Sequence, residues 1–334
     1  MPKKSLTITT SELSQSLDVQ EITPEYFIAH YPEFIQRVIA KGNPSSDTMR
    51  HYCNQIDFFI RWCLANQRNP LALNEYQLLM YREFLLNRQY KPDSIQVMLV
   101  AVRAFYAAAK KIELIKVNPA AEVDAPPAGN SGTALLHFYT PQQMNEIVHA
   151  FDEDKNPFTR NRNKLILYLM GVEGLRNIEV HRACVEDINF EARAIMIRGK
   201  GARGRLEPIY PCDETFDILA EYLKAIPTDR KIKKDGVLTP LILSSSNRNL
   251  LGRISRNGLR SIMNKALETC DLKHPGYSCH VFRHSCGTNL YKETKDLRLV
   301  QDVLRHRDPK VTARYAHVAD RLTKRHTSKL VPHD

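Results

Sequence analysis

The chain reads as a mainly α protein with one small β-hairpin (α+β), built in two domains. Three features of the 334 residues carry that reading. Apolar residues recur at helical spacing through most of the first third of the chain. The stretch Val185–Pro211 changes rhythm, with short strand-like runs on either side of a Gly-rich turn. Between the two lies Asn118–Thr133, which holds three prolines, two glycines and no sustained apolar period, the composition of a linker.

Residues 1–20 are polar and rich in Ser and Thr, and read as a loose arm. Four helical stretches follow and make a bundle over residues 21–117. In the second, Tyr52, Ile56, Phe59, Ile60 and Cys63 share one face, behind a cap at Ser46 or Asp47. The third runs near Asn74–Arg88, and the fourth, Pro92–Lys111, carries Ile95, Leu99, Val102 and Phe105 on one side. These faces are most simply a core and are assigned no chemistry. The linker is placed at 118–137, the second domain at 138–317 and a tail at 318–334. Helices recur near Pro141–Phe151 and Asn161–Met170. Ala194–Arg198 and Leu206–Tyr210 then flank a Gly-Lys-Gly-Ala-Arg-Gly turn, a hairpin with a basic tip. After Asp213 the chain reads as helical almost to its end, and no internal repeat is present.

Apolar residues at 43% and charged residues at 25% give the balance of a folded soluble chain. No apolar run approaches the roughly 18 residues of a membrane span. The start, MPKKSLTITT, lacks the apolar segment of a secretory signal. Seven cysteines without a C-x-x-C pair argue against a disulfide framework and for a reducing cytosol. The net charge is +11, and it is unevenly placed: 14 Lys and Arg oppose 13 Asp and Glu in residues 1–125, against 34 and 24 beyond. A basic surface of this kind concentrates a polyanion, although charge alone fits an inert surface equally well.

Four short segments of the second domain concentrate Arg, His, Lys and Tyr. They are Gly174-Leu175-Arg176-Asn177-Ile178-Glu179, the hairpin around Lys200, His280-Val281-Phe282-Arg283-His284, and Leu304-Arg305-His306 with Tyr315 nine residues later. Singly each has a bland reading: a solvated arginine, a packed histidine, a half-buried tyrosine. In order, they resemble the signature of the tyrosine recombinases, the phage-integrase family. Gly174-Leu175-Arg176 with Glu179 is similar to that family's G-L-R-x-x-E box, Gly199-Lys200-Gly201 to its hairpin lysine, and Leu304–Val318 to its closing L-G-H…Y-x-H-V block. The resemblance spans the second domain from about Phe138, and the helical first domain is similar to the family's SAM-like core-binding domain. The departure is Arg305, where the family commonly has glycine; an altered helix turn or an added phosphate contact are both open.

The resemblance implies a C-shaped clamp of two domains around double-stranded DNA, with Tyr315 attacking a phosphodiester to leave a 3′-phosphotyrosine and a 5′-hydroxyl. Two guanidinium groups can hold both non-bridging oxygens by forked, charge-assisted hydrogen bonds, and Arg176 and Arg283 fill that role. Lys200 is the expected general acid for the leaving oxygen. His280 would take the tyrosine's proton or bond the phosphate, His306 would donate to the phosphate, and Glu179 would orient Arg176 or a histidine. Base contacts are placed near the helix Arg253–Lys265, with Arg203, Arg205, Arg253, Arg256, Arg260 and Lys265 as candidates, and on the second and fourth helices of the first domain.

No Walker-type motif is present, so no nucleotide is expected, and no cofactor of any kind. His280 and His284 beside Cys279 and Cys286 invite a zinc reading, which is set below a structural role. The implied assembly is a tetramer on two duplexes with an inverted-repeat site, passing through a Holliday junction. A helix over Val318–Leu330, with Val318, Leu322 and Leu330 on its apolar side, either packs on its own domain or, as the resemblance implies and favours, docks on a neighbouring protomer. An accessory directionality protein is possible, and the expected location is cytoplasmic and nucleoid-associated. Two other readings remain: a type IB topoisomerase that reseals the same strand, and a DNA-binding regulator whose residues only grip.

Overall fold

The computed structural model describes residues 22–127, 136–199, 206–229, 231–277, 279–306 and 308–323. Two compact units meet in sequence between Gly132 and Thr133. Among the described residues no helix is long and apolar enough to cross a membrane. All seven cysteines are unpaired thiols, as the sequence predicts.

The first unit is four helices: α1 (Pro24–Ile35), α2 (Ser46–Ala65), α3 (Glu75–Asn87) and α4 (Pro92–Lys111). Three of the four begin at a side-chain cap. Thr23 opens α1, and Asn74 with Gln77 forms a reciprocal capping box at α3. The cap of α2 is Ser45, not Ser46 or Asp47. Ser45 has the extended backbone a cap requires, and its Oγ accepts the Thr48 N–H at 3.2 Å. Asp47 falls inside the first turn, where its charge suits the helix dipole. The fourth helix starts on Pro92, whose missing N–H costs nothing at a first helical position. Phe27 and Tyr31 of α1 pack on Phe105 of α4, and Phe59 of α2 meets Tyr81 of α3 edge-on at 5.1 Å. All of these rings are buried, and each contributes on the order of 1.5–3 kcal/mol.

Part of the expected linker belongs to this unit. Ala120 and Val123 are buried, and the Arg103 guanidinium donates to the carbonyls of Ala120 and Val123 and to the Asp124 carboxylate. Composition could not show this, because the tie is one side chain 17 to 21 residues away.

The second unit begins with α5 (Pro141–Val148), capped by Thr140, and α6 (Pro157–Leu167), capped by Asn156. The latter starts four residues earlier than its apolar period suggests and runs into a single π-helical turn, Tyr168–Val172. Next come α7 (Asn177–Arg182) and a three-stranded antiparallel sheet. Its strands are β1 (Ile188–Asn189), β2 (Ala194–Arg198) and β3 (Leu206–Ile209). The predicted hairpin is present, with Ile195 opposite Ile209 and Arg198 opposite Leu206, while Tyr210 lies past the strand and is exposed.

Beyond α8 (Asp213–Lys224) the expectation of continuous helix fails. Residues 225–255 form turns and isolated bridges around Gly236, Pro240 and Gly252, with one short 3-10 turn at Asn247–Asn249. Buried Tyr222 anchors the segment: its hydroxyl donates to the Leu241 carbonyl and accepts the Leu243 N–H, both at 3.0 Å. Four helices follow: α9 (Arg256–Thr269), α10 (Cys279–Thr294), α11 (Leu297–Leu304) and α12 (Pro309–Thr323). The core gathers Leu165, Ile166, Leu169, Leu219, Leu259 and Phe282.

Candidate active site

The turn ahead of Arg176 is built by the π-helical segment. Glu173 N–H returns to Tyr168 and Leu175 N–H to Leu169, so the chain leaves the helix wide and bends back at Gly174. Gly174 has φ +66°, and a Cβ there would lie 2.6 Å from Leu304 and 3.0 Å from the Cys286 sulfur. Both the backbone and the space therefore demand glycine. Arg176 then caps α7, and one turn on Glu179 reaches back to it. One Glu179 oxygen accepts the Arg176 backbone N–H at 2.9 Å, and the other accepts its guanidinium at 2.7 Å.

Glu179 is buried, with 1% of its surface exposed, and it has a second cation. Arg305 donates to it at 2.9 Å. Burial opposes the charged carboxylate, but the Arg305 charge and the Arg176 N–H and guanidinium outweigh it and hold the acid below its usual range. Arg305 occupies the left-handed region, φ 53° and ψ 49°, at the C-cap of α11. That is a conformation glycine takes without strain. The Arg305 guanidinium goes to the buried carboxylate.

Arg283, on α10, is also buried. It donates to the Gly174 carbonyl at 2.6 Å and to the Leu304 carbonyl, which leaves three of its five N–H groups. Burial first, then the charge of Arg176, lowers it to about 10, so it remains a cation at neutral pH. Three guanidinium groups thus face one buried carboxylate. Arg176, Arg305, Glu179 and His306 line a cavity of about 450 Å³, with Gly199, Glu207, Gln301 and Asp302 completing its wall.

Tyr315, on α12, is 1% exposed. Its ring lies 6.0 Å from that of His306 and nearly parallel to it. Burial raises its hydroxyl to about 12, against the pull of Arg283 and Arg176. The ring fits because residue 287 is glycine: a Cβ there would lie 2.9 Å from the tyrosine ring. His306 has one ring nitrogen, Nδ1, at 2.9 Å from the Thr312 hydroxyl. Burial and then the charge of Arg283 lower it to about 4.

The structure therefore brings Arg176, Glu179, Arg283, His306 and Tyr315 together. His280 is exposed, one turn before His284 on α10. His284, assigned no chemistry from sequence, lies with Nδ1 at 3.1 Å from the Tyr315 hydroxyl. The signal was its spacing of four from His280, which the zinc reading absorbed. Among the described residues no three His, Cys, Asp or Glu side chains gather to hold a metal. Lys200, Arg203 and Arg205 lie outside the described residues, as does most of the tail, including the side chains of Val318, Leu322 and Leu330. Gly199 and Glu207, which flank the hairpin tip, both line the cavity. Arg253 donates inside its own domain to the carbonyls of His181 and Ala183 and to the Asp235 carboxylate. Arg256, Arg260 and Lys265 are exposed on α9. Arg256 and Arg260 share a face, whereas Lys265 lies about 140° round from Arg260.

This fold and this set of side chains define a class, an enzyme that breaks and rejoins DNA strands through a tyrosine. Residues 137–321 match the phage integrase family, and residues 32–112 match the phage integrase N-terminal SAM-like domain. The first match alone spans more than half of the sequence, and the chain belongs to the phage integrase family of tyrosine recombinases. It is 28% identical over 299 residues to the tyrosine recombinase XerC of Thermodesulfovibrio yellowstonii, covering 88% of this chain and 92% of that one. It is 26% identical over 298 residues to XerC of Oceanobacillus iheyensis, covering 88% and 92%. Among solved structures, the XerH recombinase bound to its palindromic difH substrate has a TM-score of 0.67 at 17% identity, covering 85% of this chain and 80% of that one. The lambda integrase tetramer on a Holliday junction has a TM-score of 0.64 at 16% identity, covering 91% and 80%. Both of these likenesses are of fold.

Two outcomes follow from the charges. Folded His284 and His306 titrate near 4 against an ordinary 6.5. Between those values the unfolded chain binds more protons, so stability is lost as pH falls from 6.5 towards 4, and Glu179 acts in the same direction. The thermal midpoint should decline across that window, and His306→Asn should flatten the decline; a midpoint that does not move contradicts the burial of the neutral rings. Glu179→Ala leaves the guanidinium groups unpaired and should cost about 3–5 kcal/mol in denaturant unfolding.

Proposed function

We propose that this chain is a site-specific DNA recombinase in which Tyr315 attacks a phosphodiester, forms a 3′-phosphotyrosine and releases a 5′-hydroxyl. The observation that carries the reading is the meeting of Arg176, Arg283, His306 and Tyr315 in one cluster, with Arg176 and His306 on the wall of the cavity, although 139 residues separate the first from the last. In this reading Arg176 and Arg283 hold the non-bridging oxygens, and His306 donates to the same phosphate. Glu179 orients Arg176 without touching DNA. Lys200, which follows Gly199 in the sequence, acts as general acid on the leaving oxygen. His280, exposed beside the cluster, serves the phosphate or the tyrosine's proton. Positioned charge does this work without a metal or nucleotide.

The rejoining step reverses the chemistry: a DNA hydroxyl attacks the phosphotyrosine, and phenolate leaves. Exchange between two duplexes by four protomers proceeds through a Holliday junction, the substrate on which the lambda integrase tetramer was solved. An inverted-repeat site follows from two protomers meeting head to head, and XerH was solved on a palindromic one. The two units, taken as residues 21–117 and 138–317, each contact the duplex, with Arg203, Arg205, Arg253, Arg256, Arg260 and Lys265 contributing contacts. The tail, 318–334, docks on a neighbour, and an accessory protein sets direction. The setting is the cytoplasm, at the nucleoid, and the task is integration or excision of a mobile element or a related rearrangement.

Incubation with a nicked suicide duplex in the presence of a chelator should give a protease-sensitive protein–DNA adduct that Tyr315→Phe abolishes. A bound site without adduct favours a regulator, and an adduct in Tyr315→Phe names another nucleophile. Lys200→Ala should slow cleavage by about 10²–10⁴-fold, and a bridging 5′-phosphorothiolate, whose sulfur leaves without a proton, should restore it. Failure of that rescue would remove Lys200 as the acid.

A further inference from the structure

We propose that His284 is the histidine that serves the nucleophile: its Nδ1 holds the Tyr315 hydroxyl and takes the phenol proton when the phosphate is attacked. The proposal rests on Tyr315 being the nucleophile, and it deepens that reading by assigning a residue outside the Arg, Lys, His, Arg, His, Tyr series.

The geometry carries it. His284 Nδ1 lies 3.1 Å from the Tyr315 oxygen, within hydrogen-bond reach of a general base. The two rings are 5.9 Å apart, centre to centre. The other histidine within range of the ring, His306, has its Nδ1 engaged by the Thr312 hydroxyl, and its ring stacks on the tyrosine without a hydrogen bond to the hydroxyl. His280, which the series favours for this task, stands a helical turn away and exposed, its ring 6.4 Å from that of His284. Both the tyrosine and His284 sit on packed helices, and Gly287 supplies the room that lets the ring reach the histidine.

The step balances simply. The phenol O–H bond breaks, its proton goes to Nδ1, and the phenol oxygen bonds to phosphorus. The P–O5′ bond breaks, and the leaving oxygen takes its proton from Lys200. In the empty site the proton stays on the tyrosine, because the phenol is raised to about 12 and the imidazole lowered to about 4. Burial causes both shifts. On the imidazole it is reinforced by His280 and Arg283 on α10 and by Arg314 on α12, while His306 faces it from beyond the tyrosine. A phosphate anion held by Arg176 and Arg283 offsets that positive field, raises the imidazole and brings the proton transfer within reach. The tyrosine is thereby kept unreactive until DNA occupies the cavity.

The test is the single-turnover rate of adduct formation on the nicked duplex against pH, for the full chain and for His284→Asn and His284→Phe, with DNA affinity measured alongside. Asparagine keeps a hydrogen-bonding group near the position of Nδ1 but cannot take a proton. Both variants should bind DNA as the parent does and form adduct about 10²–10⁴-fold more slowly, and in His284→Asn the rate should climb with pH as hydroxide substitutes for the base. Adduct at the parent rate and pH profile in His284→Asn overturns the proposal. A second measurement uses the chain with His284 in place. In ¹⁵N-histidine spectra, Tyr315→Phe should displace the His284 Nδ1 resonance, and displacement of His280 alone overturns the contact. Absence of adduct in the parent chain would instead remove the reading of function on which the proposal rests.

Discussion

The carboxylate of Glu179 is the point on which the second unit's chemistry turns. It is fully out of water, where a lone charge is costly, and it is stabilised there only by the cations it gathers. Those cations come from distant parts of the chain: Arg176 at the start of α7 and Arg305 at the end of α11. Arg283 joins them through carbonyls rather than through the carboxylate, bridging Gly174 to Leu304. The G-L-R turn, the middle of α10 and the end of α11 are thereby held in one frame. Loss of the carboxylate would leave like charges in contact, so the same group that orients the site also stabilises the fold around it.

The frame sets the guanidinium groups of Arg176, Arg283 and Arg305 against the single carboxylate of Glu179. Burial and the charges of Arg176 and Arg305 lower Arg283, and burial with the charge of Arg283 lowers His306 and His284 as well. Repulsion of this kind is common where a binding site is built ahead of its ligand. The exchange of glycine for Arg305 adds to it. An arginine in the left-handed region costs on the order of 1–2 kcal/mol of backbone strain, and the buried ion pair with Glu179 offsets that cost. One more cation is thereby drawn to the cavity wall.

The buried tyrosine belongs to the same logic. Tyr315 packs with Val300 and Leu304 in a small core of its own, so the proposed nucleophile doubles as a packing residue. Glycine at 287 and at 174 makes the space, the first beside the ring and the second beside Leu304. A phenol held in such a place keeps its proton, because burial pushes its hydroxyl up to about 12.

Much of this was legible in the residues alone. Helical periods located the four helices of the first unit, the Gly-rich turn marked the hairpin, and the order Arg176, Lys200, His280, Arg283, His306, Tyr315 pointed to the family, because a local pattern records a local backbone or a shared chemistry. Other features had no local trace. The tie from Arg103 to Asp124, the bridges of residues 225–255 held by Tyr222, the pairing of Arg305 with Glu179 and the contact between His284 and Tyr315 all join residues far apart in the chain. Sequence determined which groups are available and which segments are helical or extended. Only the packing of α7, α10, α11 and α12 decided which histidine reaches the tyrosine and which arginine shares the carboxylate, because side-chain partners are set by burial and distance rather than by order.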